Sequence, residues 1–194
     1  MNQPTTSRTR LRDIATIALM AVFVLIAKTV LRVPIKVSGH GGVLWIAVLI
    51  VGRAVVRRPG AATLMGLVGG VLIALLQPSD AGMLFSVAKY VLPGIVLDVL
   101  GPLFSDRFDR FGPAILAGAT AHASKVAVDM VQGYAAGLRG SVLVAGLTVQ
   151  LTLHILFGAL GGVLAALILR TLIRANVPQV AELARAATGG GDAQ

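Results

Sequence analysis

The chain has 194 residues, of which 56% are hydrophobic and only 13% are charged, and it contains no cysteine. Because about one quarter of a typical soluble domain is charged, this composition predicts a membrane protein. The lack of cysteine excludes a disulfide framework and a thiolate metal site. Although the formal net charge is +9, the arginines are spread over short connections and no basic helix carries interleaved aromatic residues. This pattern argues against nucleic-acid binding.

Six apolar stretches occupy most of the chain and predict an all-α integral membrane protein, a bundle of six transmembrane helices. Since about 20 residues are needed to cross the hydrocarbon core, the second stretch is short and the sixth is long enough to tilt. Glycine and proline lie at or near most of the proposed ends, as expected for connections. The predicted spans are residues 13–31, 42–57, 60–78, 82–104, 113–135 and 141–173.

One membrane domain, residues 13–173, therefore lies between two terminal tails, 1–12 and 174–194. Positive residues are retained on the cytoplasmic side of a membrane, and an even number of spans returns the chain to that side. Eleven basic residues flank one set of span ends, whereas only Arg32, Lys36 and Arg139 fall in the opposite loops. We therefore expect a multi-pass protein of the cell (plasma) membrane with both termini in the cytoplasm. The eleven are Arg8, Arg10, Arg12, Arg53, Arg57, Arg58, Arg107, Arg110, Arg170, Arg174 and Arg185.

Three of the four lysines, Lys28, Lys89 and Lys125, lie inside the apolar spans. An ammonium group at the bilayer centre costs at least about 2.5 kcal/mol, so such residues usually mark a functional site. Lys28 is close to the end of its span and is expected to reach the interface as an anchor. Trp45 is likewise expected to be an interfacial anchor, and Asp98 to pair with an arginine of a loop.

Polar side chains form stripes on three successive spans. Residues three, four or seven positions apart share one face of a helix. Three polar stripes facing lipid would be very costly, so we expect them to converge on one cavity. The stripes comprise Ser86, Lys89 and Pro93 with Tyr90 beside them, then His122, Lys125 and Asp129, and finally Gln150 and His154.

The depth of these residues predicts the charge of the cavity. At about 1.5 Å per residue, Lys89 and Lys125 both lie about 10 Å below the outer surface, with Asp129 slightly nearer to it. Two ammonium groups and one carboxylate would favour an anion, such as the carboxylate or phosphate of a small solute. In the alternative interpretation, Lys89 pairs with Asp129 for structure alone and Lys125 extends towards the interface.

Neither a metal, a cofactor nor an enzymatic activity is predicted. His122 and His154 have no third ligand of suitable type on these faces. The GxSxG and HExxH motifs are missing, and so is the GxxxxGK[ST] motif that would bind ATP. An autonomous small secondary transporter or channel that uses His122, Asp129 and His154 for protons is an alternative function.

The first outer connection, RVPIKVSGHGG, combines a rigid Pro34 with a glycine-rich end at Gly39, His40 and Gly41. It would lie over the mouth of the cavity as a lid. Glycines four residues apart, such as Gly66 with Gly70, allow helix backbones to approach closely. We expect ordinary packing within the bundle here, and likewise for Gly158 with Gly162 and for Gly133 with Gly137.

Residues 11–175 resemble a substrate-binding S component of the energy-coupling-factor (ECF) vitamin transporters. The likeness rests on chain size, on six spans with both termini inside, on Ala15, Ala18 and Ala21 of the first helix, and on the glycine-rich loop that follows. It also rests on the run GGVLWIAVLIVGRAVVRRPGAATLMGLVGG, which is similar to a region of the thiamine-precursor branch.

The resemblance implies a subunit of an ABC importer that captures a vitamin or other micronutrient from outside. Such a subunit docks on a transmembrane coupling protein that carries two cytoplasmic ATPases. The resemblance places the docking surface at Ala15, Ala18 and Ala21, although the family's alanines are commonly four residues apart and these are three apart. It places the binding site in the outer halves of spans 4 to 6.

The substrate of the thiamine-precursor branch does not carry over, because those substrates are cationic or neutral and spans 4 to 6 contain two lysines. We therefore expect an anionic vitamin-like solute or cofactor precursor. The expected substrate-binding residues are Tyr90, Lys89, His122, Lys125, Asp129, Gln150 and His154.

Overall fold

A computed structural model describes residues 5–29, 39–78, 82–178 and 180. Within these residues the chain forms six α-helices and no strand, so the predicted all-α class is confirmed. Pro34 and nearly all of the tail after residue 178 lie outside the described residues. The helices are α1 (Thr5–Thr29), α2 (Gly42–Val56), α3 (Ala61–Leu76), α4 (Gly82–Leu103), α5 (Phe111–Ala135) and α6 (Gly140–Arg174).

The bounds of α2 to α6 lie within two residues of the predicted spans, whereas α1 begins eight residues before the predicted start at 13. Arginine and leucine are good helix formers, so the helix continues through the basic segment that precedes the apolar stretch. Hydropathy detects the apolar part of a helix and not its polar extension.

Two helices are long and apolar enough to cross a membrane, α4 and the Val144–Arg174 part of α6. α2 and α3 are apolar but shorter. α5 has sufficient length, but its stripe of charged and polar residues lowers its mean hydropathy. The described part of the chain therefore has six helices, and two of them have the length and composition of a membrane span.

α2 is the central helix of the bundle. It contacts each of the other five helices, and eleven of its 15 residues are buried. Around it, α1, α3, α4, α5 and α6 pack in that order, each against the next. In the residues described, α1 and α6 make no contact with each other, so the outer row of helices is open between them.

Glycine allows the outer helices to approach closely. A Cβ atom at Gly66 or Gly70 of α3 would meet the backbone of α4, and one at Gly158 or Gly162 of α6 would meet the backbone of α5. The expectation of ordinary packing within the bundle is confirmed for these four glycines. Gly137 differs, because it ends α5 with a φ of +77° and faces open space.

Ion pairs join the helices at the end of the bundle where α2, α4 and α6 finish, which we call the arginine end. The fully buried Arg53 of α2 lies 3.1 Å from Asp98 Oδ1 of α4 and 3.0 Å from Asp106 Oδ1. Its N–H groups are poorly aligned with these oxygens, so the contacts are ion pairs and not well-formed hydrogen bonds. Asp98 also accepts hydrogen bonds from the backbone N–H groups of Ala62 and Thr63 and so caps α3.

The expected partner of Asp98 was a loop arginine, and this was wrong. Its partner Arg53 lies inside α2, since that helix continues to Val56. A second ion pair at this end joins Asp13 of α1 to Arg58 in the turn between α2 and α3, at 2.5 Å.

The outer faces of the five surrounding helices carry large exposed apolar side chains. Leu84 of α4 is 79% exposed, and Leu76 of α3 is 65% exposed. Soluble monomers rarely expose contiguous apolar surface of this extent. Further examples are Ile14, Leu19 and Phe23 of α1, Leu116 and Val131 of α5, and Val149, Ile155, Leu156 and Leu160 of α6.

Candidate solute-binding site

The three predicted polar stripes meet in the half of the bundle opposite the arginine end. Lys89 Nζ of α4 lies 2.7 Å from Asp129 Oδ1 of α5. The other oxygen of this carboxylate, Oδ2, accepts a hydrogen bond of 2.8 Å from Gln150 Nε2 of α6. One carboxylate thus connects three helices, and both of its oxygens have a partner.

A cavity of about 460 Å³ opens beside this chain of contacts. Its volume falls within the range of small-molecule sites, which is about 300–1,000 Å³. The polar lining consists of Lys89, Asp129, Gln132 and Gln150, and the remainder consists of Gly133, Ala136, Leu138, Gly146 and Leu147.

Pro93 lies one turn after Lys89 in α4 and is buried. Because proline has no N–H group, it cannot donate the usual helical hydrogen bond to the carbonyl of Lys89. The backbone of α4 is therefore more polar at the cavity than in an uninterrupted helix.

Lys125 differs from Lys89 in its surroundings. It lies one turn from Asp129 in α5, on the side of the arginine end, and is partly buried. Asp129, Lys28 and Lys89 are within electrostatic range of its ammonium group. In the part of the chain that the structure describes, however, no carboxylate forms an ion pair with it, because Asp129 is engaged by Lys89 and Gln150.

The sequence placed Lys89 and Lys125 at the same depth, with Asp129 nearer the surface. The structure brings the ammonium group of Lys89 into contact with Asp129, and Lys125 lies one turn of α5 further towards the arginine end. Of the two interpretations left open for Lys89, its pairing with Asp129 is the geometry observed.

Lys28 lies closer to the site than a simple interfacial anchor would. A Cβ atom at Gly41 would be 3.8 Å from Lys28 Nζ. His122 and Lys125 are both within its electrostatic range. Three ammonium groups, from α1, α4 and α5, therefore approach one region of the bundle.

Four aromatic rings pack beneath the cavity. The ring centroids are separated by 5.1 Å between Tyr90 and Trp45, 5.6 Å between Trp45 and His122, and 4.5 Å between His122 and His154. Trp45 is only 2% exposed, so its expected position at the membrane interface was wrong. Trp45 belongs to the central helix α2, so even near the end of that helix its side chain faces the other helices.

Both histidines are fully buried, and each has a backbone partner. His122 Nδ1 is 3.1 Å from the carbonyl oxygen of His154, and His154 Nδ1 is 2.8 Å from that of Gln150. A carbonyl oxygen can only accept, so each Nδ1 carries the proton and donates it. In the neutral ring, Nε2 is consequently a hydrogen-bond acceptor.

In this half of the bundle, two buried acceptors have no hydrogen-bond partner among the described residues, Gln132 Oε1 and His154 Nε2. Leaving a buried acceptor unmatched costs about 1–3 kcal/mol, so each such atom requires an explanation. Gln132 was missed in the sequence although it lies three residues after Asp129, on the same face of α5. Extending the polar stripe by one turn would have included it.

The glycine-rich turn before α2 covers the two histidines. The N–H of Gly42 donates to the Gly39 carbonyl at 2.8 Å, which closes the turn. A Cβ atom at Gly39 would lie 3.4 Å from His154 Nδ1, and one at Gly42 would overlap the His122 ring. None of Gly39, His40 and Gly41 lines the cavity, so their role as a lid stays a prediction, and Pro34 is outside the described residues.

The three alanines expected to form a docking surface do not share a face. Ala15 and Ala18 are exposed, but Ala21 is fully buried. Its carbonyl oxygen lies against Gly69 of α3. Residues three apart on a helix drift around the axis by about 60° per step, so the third alanine turns inward. The inclusion of Ala21 was wrong.

Within the described residues, no three histidine, aspartate or glutamate side chains come together to hold a metal ion. No protein-family model, curated protein or solved structure matches the chain.

Proposed function

We propose that this chain is a multi-pass membrane protein whose six helices lie in the cell membrane with both termini in the cytoplasm. The exposed apolar faces of α1, α3, α4, α5 and α6 support this proposal, because a bilayer would cover them without cost. α2 is short for a span, at about 22 Å, but its central position shields its ends from lipid. The concentration of arginine at one end supports a cytoplasmic location for that end.

Within that membrane, the chain captures a small anionic solute from outside. The observation that carries this proposal is Lys125, an ammonium group inside the bundle with no ion-pair partner among the described residues. A cation in an apolar interior is stabilised by an opposite charge, which a carboxylate or phosphate of the solute would supply. The cavity has room for a small molecule and is lined by Asp129, one turn from Lys125 in α5, but Lys125 itself is not part of the lining.

From the resemblance to ECF S components, we propose that this capture is the first step of solute uptake. In that role the chain delivers its solute to a transmembrane coupling protein, and two cytoplasmic ATPases supply the energy. The exposed Ala15 and Ala18, together with the apolar face of α1, would form the docking surface. Ala21 is not part of it.

Mass spectrometry of small molecules extracted from the purified protein tests the capture function. We expect wild-type protein to retain a stoichiometric acidic solute and Lys125→Met to lose it. Arg174→Met, which removes an exposed positive charge at the arginine end, is the matched control and should retain the solute. Equal retention by wild type and Lys125→Met would contradict the proposal, as would the absence of any acidic solute from wild type.

The secondary-transporter alternative is supported by the contact between the His122 and His154 rings, at 4.5 Å between centroids. Both oxygens of Asp129 are engaged elsewhere, however, so the carboxylate is poorly placed to relay protons to them. Purified chain alone, reconstituted in liposomes, distinguishes the two functions. A capture subunit should not accumulate the extracted solute in response to a proton gradient, whereas an autonomous transporter should.

A further inference from the structure

The contacts around the cavity leave some polar groups satisfied and others not. Lys89, Asp129 and Gln150 satisfy one another. Gln132 lines the cavity, and its buried Oε1 has no hydrogen-bond partner in the described chain. His154 Nε2, one turn below Gln150, is also buried without such a partner. Both atoms are acceptors, so a solute that brings an N–H or O–H donor as well as a negative charge would match the groups that remain unpaired.

We infer that the solute carries an N–H or O–H donor in addition to its negative group, and that Gln132 is a specificity-determining residue that accepts a hydrogen bond from this donor. This inference rests on the proposed function, because it assigns a second chemical feature to the same solute. The solute class is a small acid that also contains an amide, ureido or hydroxyl group.

The position of Gln132 fits this role. It follows Asp129 by three residues and therefore lies on the same face of α5, whose deeper turn carries Lys125. A small acid with its negative group towards Lys125 would extend along this face past Gln132. His154 supplies a second acceptor on α6, close to Lys125 in the interior. A purely apolar acid would leave both acceptors unmatched, which disfavours its binding.

A matched set of probes tests the inference. 5-Oxoproline carries a carboxylate and a lactam N–H, N-methyl-5-oxoproline lacks the donor, and 5-oxoproline amide lacks the charge. Ligand-observed NMR on the full chain in detergent should show binding of 5-oxoproline, with N-methyl-5-oxoproline roughly three- to tenfold weaker. The amide should fall below detection. In Gln132→Met the difference between the two acids should disappear.

Stability of the protein without added probe gives an independent measurement. Gln132→Met removes an unmatched acceptor and should leave the thermal midpoint unchanged or raise it. Gln150→Met removes a hydrogen bond to Asp129 and should lower it. An equal loss in both variants would mean that Gln132 Oε1 is already satisfied in the free protein, for example by water, and would overturn the inference.

The outcomes separate the inference from the proposed function. Equal affinity for the two acids in wild type would overturn the donor requirement and leave the anion site intact. If neither acid binds, or if the amide binds as well as the acid, the anion site itself is wrong.

Discussion

Lys89 and Lys125 are both lysines inside the bundle, but they face different groups. Lys89 is neutralised by Asp129 at 2.7 Å, and Gln150 holds the same carboxylate from the opposite side. Lys125 has no ion-pair partner in the described chain. Of these two lysines, Lys125 is therefore the one that the proposal pairs with a ligand, and the Lys89–Asp129 pair is a connection between α4 and α5.

Substitutions in that pair test this division of roles. Lys89→Met and Asp129→Asn should each destabilise the protein by about 1–3 kcal/mol, because each leaves a largely buried charge without its partner. The double variant should lose less stability than the sum of the losses in the two single variants, because neither charge then remains. Thermal unfolding in detergent measures all three. Fully additive losses would mean that the two groups do not interact in solution.

The polar stripes could be predicted from the sequence because their residues recur at helical spacing. Their pairing could not, since it depends on the heights at which α4, α5 and α6 cross. Depth counted in residues from the helix ends set Lys125 level with Lys89, whereas the packing of the helices joins Lys89 to Asp129.

At the scale of helices, α2 extends from the candidate solute-binding site to the arginine end. Gly42 and Trp45 lie against His122 at one end, and Arg53 lies between Asp98 and Asp106 at the other. Since Asp98 also caps α3, one ion cluster fixes α2, α3 and α4 relative to each other.

Two arginines at the same end should therefore differ in their importance. Arg53→Met leaves two carboxylates without their cation and should cost about 3–5 kcal/mol of stability. Arg58→Met breaks the pair with Asp13, but the Arg58 side chain is 46% exposed, so its loss should cost less than about 1 kcal/mol. Thermal unfolding of the two variants under identical conditions gives the comparison. Similar losses in both would contradict the structural role of the Arg53 cluster.

Helix bounds were predictable because glycine and proline interrupt the chain between apolar stretches. The central position of α2 was not, because a helix that is apolar on all sides gives no periodic signal to show which face is buried. This is why Trp45 was expected at the interface and is found in the core.

For the molecule as a whole, the distribution of arginine and the exposed apolar faces predict one orientation in the membrane. Because the chain has no cysteine, single cysteines can be introduced without background. Arg139→Cys should react with a membrane-impermeant maleimide in intact cells. Arg110→Cys should react only after the cells are permeabilised. The reverse pattern would show that the protein has the opposite orientation. Reaction of both cysteines in intact cells would contradict the predicted orientation.

Capture of a negatively charged solute by Lys125 is tested most directly by the dissociation constant of the acidic compound extracted from wild-type protein. It should be measured for wild type, Lys125→Arg and Lys125→Met in the same detergent. Arginine keeps the charge and should bind within about tenfold of wild type, whereas methionine should bind about 100-fold more weakly, as expected for the loss of one partner of a buried charge pair. Equal affinity of wild type and Lys125→Met would contradict the account.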